Sequence, residues 1–257
     1  MAIPKDIAGF LNKYFNKVVV ITLPRFADRQ TRIFEHLQGL DFRFFNGADK
    51  NEIDYDKVKT DGTYDEARAR KLQRQSKSLN LGEIACSLSH RNFYQLMIEK
   101  GWERALILED DAVPLYEDLA QLQPAMEELP ADWELVYLGY LKHEKVTAGL
   151  KAKQFFYKIG SALGLMKWSY TMIKNFLPRP YCKHLRRAGF HDCTHAYAIT
   201  RSAAEKLLNH QSPVVYRADD LLSSTIMKGE LNAFVTEPKF FDQEIFQNQQ
   251  LVSDIRP

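Results

Sequence analysis

The sequence predicts an α/β protein, a mainly parallel central sheet flanked by helices, organised as a single domain over residues 1–257. Three observations carry this. Lys17–Leu23 (Lys-Val-Val-Val-Ile-Thr-Leu) is a β-branched run stopped by Pro24, which suits a buried strand. Ala105-Leu106-Ile107-Leu108 is a second apolar run, and it opens directly onto three carboxylates, Glu109, Asp110 and Asp111. Around these runs strand and helix patterns alternate in the order βαβ…αβαβ…βαβ, as expected of strands crossed over by helices. A chain of 257 residues with 45% hydrophobic and 26% charged residues has ample material for a core.

Taken in order, the strand Lys17–Leu23 precedes a helix at Asp28–Gln38, which carries Ile33, Phe34 and Leu37 on one face and stops at Gly39. Phe42–Phe45 reads as a short second strand. Asn51–Ser78 is charged, mostly loop or exposed helix such as Asp65–Gln75. Asn80-Leu-Gly-Glu83 opens a long helix, Glu83–Lys100, with Ile84, Leu88, Phe93, Leu96 and Met97 as its core stripe and Gly101 as its stop. The acidic strand follows, then a helix near Glu117–Leu129 and a strand at Leu135–Leu138. After a basic region come a strand at His195–Thr200, a helix at Ser202–Leu208, a helix opened by Asp219-Asp220, and a strand at Ala233–Thr236.

Composition excludes several classes. Met1-Ala-Ile-Pro-Lys-Asp lacks the basic and apolar regions of a secretory signal, so none is expected. The uninterrupted apolar runs are too short to cross a bilayer. Cys86, Cys182 and Cys193 show no zinc or redox spacing, which predicts reduced thiols in a cytoplasm, with Cys86 a small core residue. The formal charge of +2 hides an asymmetry: residues 141–190 hold eleven Lys and Arg against one acid, Glu144. An anionic partner or surface is implied.

Three adjacent carboxylates repel one another, so at a strand end they need solvent or a cation, and in open α/β sheets that end is where ligands bind. A hard divalent ion carrying a phosphate, Mn²⁺ or Mg²⁺, suits oxygen ligands of this kind; a solvated acidic turn is the bland alternative.

Five segments in order then carry a resemblance: Val20-Ile-Thr-Leu-Pro-Arg25 with Asp28-Arg29; Gly82-Glu-Ile-Ala-Cys-Ser-Leu-Ser89-His90; Leu106-Ile-Leu-Glu-Asp-Asp111; His195-Ala-Tyr197; and Ala218-Asp-Asp-Leu221. Together they resemble glycosyltransferase family 25, lipooligosaccharide and procollagen sugar transferases with a GT-A type of fold. Thr22 departs from the family, which usually has Asn there. The resemblance implies an inverting transfer of a hexose, galactose or glucose, from a UDP-sugar with a divalent ion at the leaving diphosphate. In that scheme Asp111 is the metal ligand and His195, or His191, completes the metal shell. Glu109 or Asp110 meets ribose hydroxyls or a metal-bound water. Arg25 and Arg29 border the nucleotide, Ser89 and His90 serve the donor site, and Asp219 or Asp220, Asp219 preferred, is the general base. Bland readings stand beside these: helix-start arginines, a core histidine, two N-cap acids. A non-catalytic nucleotide-sugar-binding module and a metal-dependent phosphohydrolase are the alternative functions.

The basic region at about 141–190 departs from the family. Phe155, Phe156, Ile159, Leu163, Met166, Ile173 and Phe176 recur at three- and four-residue steps, with Lys151, Lys158, Lys167 and Lys174 elsewhere around the helix. A basic amphipathic helix of this kind fits an anionic membrane surface, placing the protein peripherally on the cytoplasmic face where lipid-linked oligosaccharide acceptors are presented. A lid over the acceptor cleft is the other reading. No nucleic-acid-binding module is recognisable, so no nucleic-acid partner is expected.

Overall fold

The computed structural model describes residues 2–73 and 76–247. Helix α1 (Lys5–Tyr14) leads into strand β1 (Lys17–Thr22), then α2 (Ala27–His36), β2 (Arg43–Asn46), α3 (Tyr55–Thr60), α4 (Glu66–Leu72) and the long α5 (Leu81–Glu99). Strand β3 (Arg104–Glu109) is followed by β4 (Ala112–Pro114), α6 (Leu122–Glu127), β5 (Leu135–Leu141), α7 (Ala148–Ala162) and α8 (Tyr170–Lys174). The rest comprises β6 (Arg179–Pro180), β7 (Leu185–Arg187), β8 (Asp192–Thr200), α9 (Arg201–His210), α10 (Ala218–Lys228), β9 (Ala233–Thr236), β10 (Phe241–Gln243) and α11 (Glu244–Gln247).

Eight strands form one sheet in the order β2-β1-β3-β8-β5-β9-β7-β6. β8 runs antiparallel to both its neighbours, and β7 to both of its own. The other six strands share one direction, as expected of a mainly parallel sheet, and the two reversed strands make it mixed. β4 and β10 make a separate antiparallel pair.

Strand alternation divides the core. In β1, Val19 and Ile21 face the cluster built on α5 and α9, while Val18 and Val20 face the cluster under α1, α2 and α6. In β3, Ala105 and Ile107 join the first cluster, Leu106 and Leu108 the second. Continued past the strand end, this period sends Glu109 towards α5 and Asp110 towards α2.

The long helix starts where its cap signal lies. The Asn80 side chain accepts from the Glu83 N–H and Glu83 returns a bond to the Asn80 N–H, a reciprocal capping box. Elsewhere the elements depart from expectation. α1 lies where no element is expected, although Ile3, Ile7, Leu11 and Phe15 recur every fourth residue and all are buried. The helix expected at Asp65–Gln75 runs from Glu66 to Leu72, and Arg74 and Gln75 lie outside the described residues. The helix expected near Glu117–Leu129 is shorter, Leu122–Glu127 after a tight turn at Leu119–Gln121. The basic stretch is not one amphipathic helix: α7 and α8 are separated at residues 163–169, where Gly164 takes a left-handed φ of 72°. No helix among the described residues is long and apolar enough to cross a membrane.

Candidate functional site

A cavity of about 400 Å³ opens at the carboxyl ends of β1 and β3, bordered by the Gly47-Ala48 loop after β2, one face of α5, the start of α10 and the segment after β10. Glu83, Glu109, Asp110, Asp111, Asp219 and Glu244 line it, against Arg29, Lys50 and Arg217. Its charge is therefore negative overall, an unfavourable place for an anionic diphosphate without an added cation.

The acidic triplet divides as the strand period requires. Glu109 turns to α5. Its Oε1 accepts from the Thr194 hydroxyl and from His90 Nε2 at 3.3 Å. A carboxylate only accepts, so Nε2 carries a proton towards Glu109. Nδ1 is hydrogen-bonded to the Tyr197 hydroxyl at 2.7 Å, which is hydrogen-bonded in turn to the Tyr94 hydroxyl at 2.7 Å. Burial pushes the Glu109 carboxyl up, but His90, Thr194 and His195 outweigh it and hold it below the usual range.

Asp110 turns to α2, where it accepts from Thr22 Oγ1 at 2.6 Å and from Arg29 at 3.0 Å. Thr22, the position that departs from the family pattern, thus holds a carboxylate of the triplet. Burial nevertheless leaves Asp110 raised.

Asp111 sits in the turn into β4. The pairing of β4 with β10 brings Gln243 Nε2 to its Oδ2 at 3.2 Å, while Oδ1 is buried with no hydrogen-bond partner. Burial, with Glu109 and Asp110 beside it, pushes its pKa up to about 8.

On α5, Gly82, Cys86, Ser89 and His90 lie four, seven and eight residues apart, one helix face lining the cavity. Ser89 Oγ donates to the Ala85 carbonyl and accepts from the Ala48 N–H at 2.9 Å, pinning the Gly47-Ala48 loop. A Cβ on Gly47 would come within 2.6 Å of that hydroxyl, so the loop is glycine for close approach. Cys86, expected to be a core residue, instead borders the cavity and lies within 4.8 Å of the His90 and Glu109 ligand atoms. Burial and the carboxylates Glu109, Asp219 and Asp111 push its thiol well up, which keeps it protonated.

The remaining candidates are distributed unevenly. Arg25 does not line the cavity; its guanidinium pairs with Asp49 at 2.6 Å and lies over the Phe26 ring. Asp219, in the first turn of α10, lines the cavity and accepts from the Cys193 and Asp220 N–H groups. Asp220 instead holds Arg217 at 2.7 Å and borders a second, smaller cavity. Burial and the neighbouring Asp219 push its pKa up to about 6.

His195 is fully buried and does not line the cavity. Its Nε2 faces the Phe241 carbonyl at 3.4 Å, and Nδ1 has no partner. Room for the ring exists because residue 139 is glycine: a Cβ there would clash with His195 and lie 2.7 Å from the Phe241 carbonyl oxygen. Gly139→Ala is therefore expected to cost about 1–3 kcal/mol by overpacking β5 against β10, read as a lower urea midpoint.

His191 is not brought to the cavity either. Its Nδ1 donates to the Lys142 carbonyl at 3.0 Å and its Nε2 accepts from the Gly189 N–H. Burial pushes its pKa from 6.5 down to about 3. A depressed pKa stabilises the fold above the unfolded value, and that contribution disappears as pH falls through the folded one. Stability is thus expected to drop between pH 6.5 and about 3, with a ceiling of about 5 kcal/mol from this group. Denaturation at pH 7 and pH 4 checks this, since His191→Gln should show a shallower pH slope in that window.

Thr194, Gln243, Cys86 and the Tyr94–Tyr197 pair are site residues that sequence reasoning missed. Only Cys86 carried a signal, its helical register with Gly82 and His90.

Comparison with known proteins follows the same segments. The profile of Glycosyltransferase family 25 (LPS biosynthesis protein) matches residues 15–222. Procollagen galactosyltransferase 2 of Mus musculus is 27% identical over 152 residues, 53% of this chain and 23% of its own. A glycosyltransferase 25 family member of Anopheles gambiae is 26% identical over 214 residues, 81% of this chain and 30% of that one. The inactive glycosyltransferase 25 family member 3 of Homo sapiens is 28% identical over 141 residues, 52% and 24% respectively. The chain spans less than a third of the length of these relatives.

Proposed function

The chain belongs to glycosyltransferase family 25, and from that premise we propose that it is a metal-dependent, inverting hexosyltransferase of the GT-A type. In this reading it moves galactose, in preference to glucose, from a UDP-sugar to a lipooligosaccharide or lipopolysaccharide core. The observation that carries it is one cavity holding a carboxylate triplet on one wall and Asp219 on another. The galactose preference leans on the relative named as a galactosyltransferase, and the acceptor class on the family's description.

The residues fit a hard divalent ion. Asp111 offers a buried oxygen with no partner beside two further carboxylates, and it is the residue that would hold Mn²⁺ or Mg²⁺. Bound there, the ion supplies Lewis-acid stabilisation of the departing diphosphate. The chain's own residues do the rest. Thr22 and Arg29 hold Asp110, and His90 and Thr194 hold Glu109, so both carboxylates are fixed in place, and Glu109 or Asp110 meets the donor's ribose hydroxyls. Lys50 and Arg29 add positive charge for the phosphates. Asp219 takes the proton of the acceptor hydroxyl as its oxygen bonds to C1 of the sugar and the C1–O bond to the diphosphate breaks.

The experiment is transfer from UDP-galactose and UDP-glucose to a deacylated core oligosaccharide, with Mn²⁺ and with EDTA, the product anomer assigned by NMR. Metal-dependent transfer with inversion is expected. Full-rate donor hydrolysis without acceptor would identify a phosphohydrolase. Donor binding with neither reaction would place the chain with its relatives named inactive, as a binding module.

A further inference from the structure

Some of the positive charge of residues 141–190 is met inside the fold: Lys142 pairs with Asp192, Arg186 with Glu237, and Arg187 bonds Asn232. The lysines of α7 are different. Among the described residues no ion pair involves Lys151, Lys153 or Lys158, and Lys153 lies over the Tyr157 ring.

α7 is also inverted relative to an ordinary surface helix, with no buried residue along its 15 positions. Its inward side is mixed. Leu150 packs on the cluster of Phe176, Leu177 and Phe190, and the Tyr157 ring meets Phe176. Gln154 donates to the Ile173 carbonyl at 2.7 Å and Ser161 to the Trp168 carbonyl at 3.0 Å. At about 100° per residue, these contacts place Phe155, Phe156, Ile159 and Leu163 within an arc of about 100° on the far side. They are 61%, 67%, 44% and 67% exposed. Lys151 and Lys158 flank that arc on one border and Lys153 on the other. Leu165, 78% exposed, extends the apolar surface into the following turn.

We propose that α7 is an interfacial helix that lays this apolar face into the headgroup region of an anionic membrane, with its bordering lysines on lipid phosphates. An outward apolar arc framed on both sides by like charge has the pattern of a helix lying in a membrane interface. The same charge opposes a second copy of the chain on this face, because docking would bring two sets of lysines together. The proposal does not depend on the transferase reading, and its test needs no turnover.

The full chain is sedimented with phosphatidylcholine vesicles, with and without phosphatidylglycerol. Binding is expected only with the anionic lipid, and to fall steeply as salt rises and the Debye length shrinks from about 10 Å at 0.1 M to about 3 Å at 1 M. The variants Phe155→Ser/Phe156→Ser/Leu163→Ser and Lys151→Gln/Lys153→Gln/Lys158→Gln should each weaken binding about tenfold or more. None of the six side chains is buried, Leu163 standing just past the end of α7, so the melting temperature should change little. Failure of the wild-type chain to sediment with the anionic vesicles overturns the proposal, as does unweakened binding by either triple variant. Self-association of the wild-type chain in sedimentation velocity, lost in the aromatic variant, would assign the face to a second copy instead.

Discussion

Asp111→Asn is expected to reduce metal-dependent transfer by about a thousandfold or more while making the metal-free protein more stable. Both effects have one cause. Asp111 shares a small cavity with Glu109 and Asp110, one of its oxygens is buried without a partner, and these surroundings disfavour its charge. Asn keeps the size and can still accept from Gln243, but it removes a carboxylate that a hard cation would need in its charged form and whose ionisation the metal-free fold opposes. Regaining ~1–2 kcal/mol would raise the melting temperature by roughly 2–8 °C for a domain of this size. Mn²⁺ should stabilise the wild-type chain against heat by mass action and leave the variant unmoved. Thermal melts with and without Mn²⁺ separate this from a damaged fold: a variant that melts lower than wild type in EDTA would show that Asp111 supports the structure. Activity in EDTA equal to that in Mn²⁺ would remove the metal from the scheme.

Much of this site was legible because β3 carries its instructions locally. The apolar run names the strand, and a period of two then assigns Glu109 to α5 and Asp110 to α2. Likewise Asn80 and Glu83 announced the start of α5, and helical spacing from Gly82 set Ser89 and His90 on the cavity face. What could not be read depends on pairings between distant segments. Gln243 reaches Asp111 only because β10 pairs with β4, and Thr194 meets Glu109 because β8 runs antiparallel beside β3. The burial of His195 follows from the glycine at position 139 and the register shift of β5 against β8, neither of which leaves a periodic trace. The apolar steps of α7 were visible, but a helical pattern does not reveal whether the apolar face turns inward or out. Here it turns out.

Asp219→Asn is expected to lower turnover by roughly 10² to 10⁴, the usual worth of a general base, with donor affinity little changed. The two carboxylates at the start of α10 are adjacent in sequence but not equivalent. Asp219 faces the main cavity, where its oxygens accept from the Cys193 and Asp220 N–H groups, bonds that orient it. Asp220 is occupied by Arg217 at 2.7 Å and borders the smaller cavity with Lys71, Lys167 and Lys228. Asp220→Asn should therefore act through Arg217, which lines the main cavity, and raise the apparent donor KM more than it lowers kcat. This division of KM against kcat distinguishes a proton acceptor from a residue that positions its neighbour. If Asp220→Asn proves the crippling change and Asp219→Asn is nearly silent, the acceptor hydroxyl is approached from the smaller cavity and the two roles exchange. If both variants turn over like wild type while Asp111→Asn does not, the donor side of the site stands and the base lies elsewhere than at the start of α10.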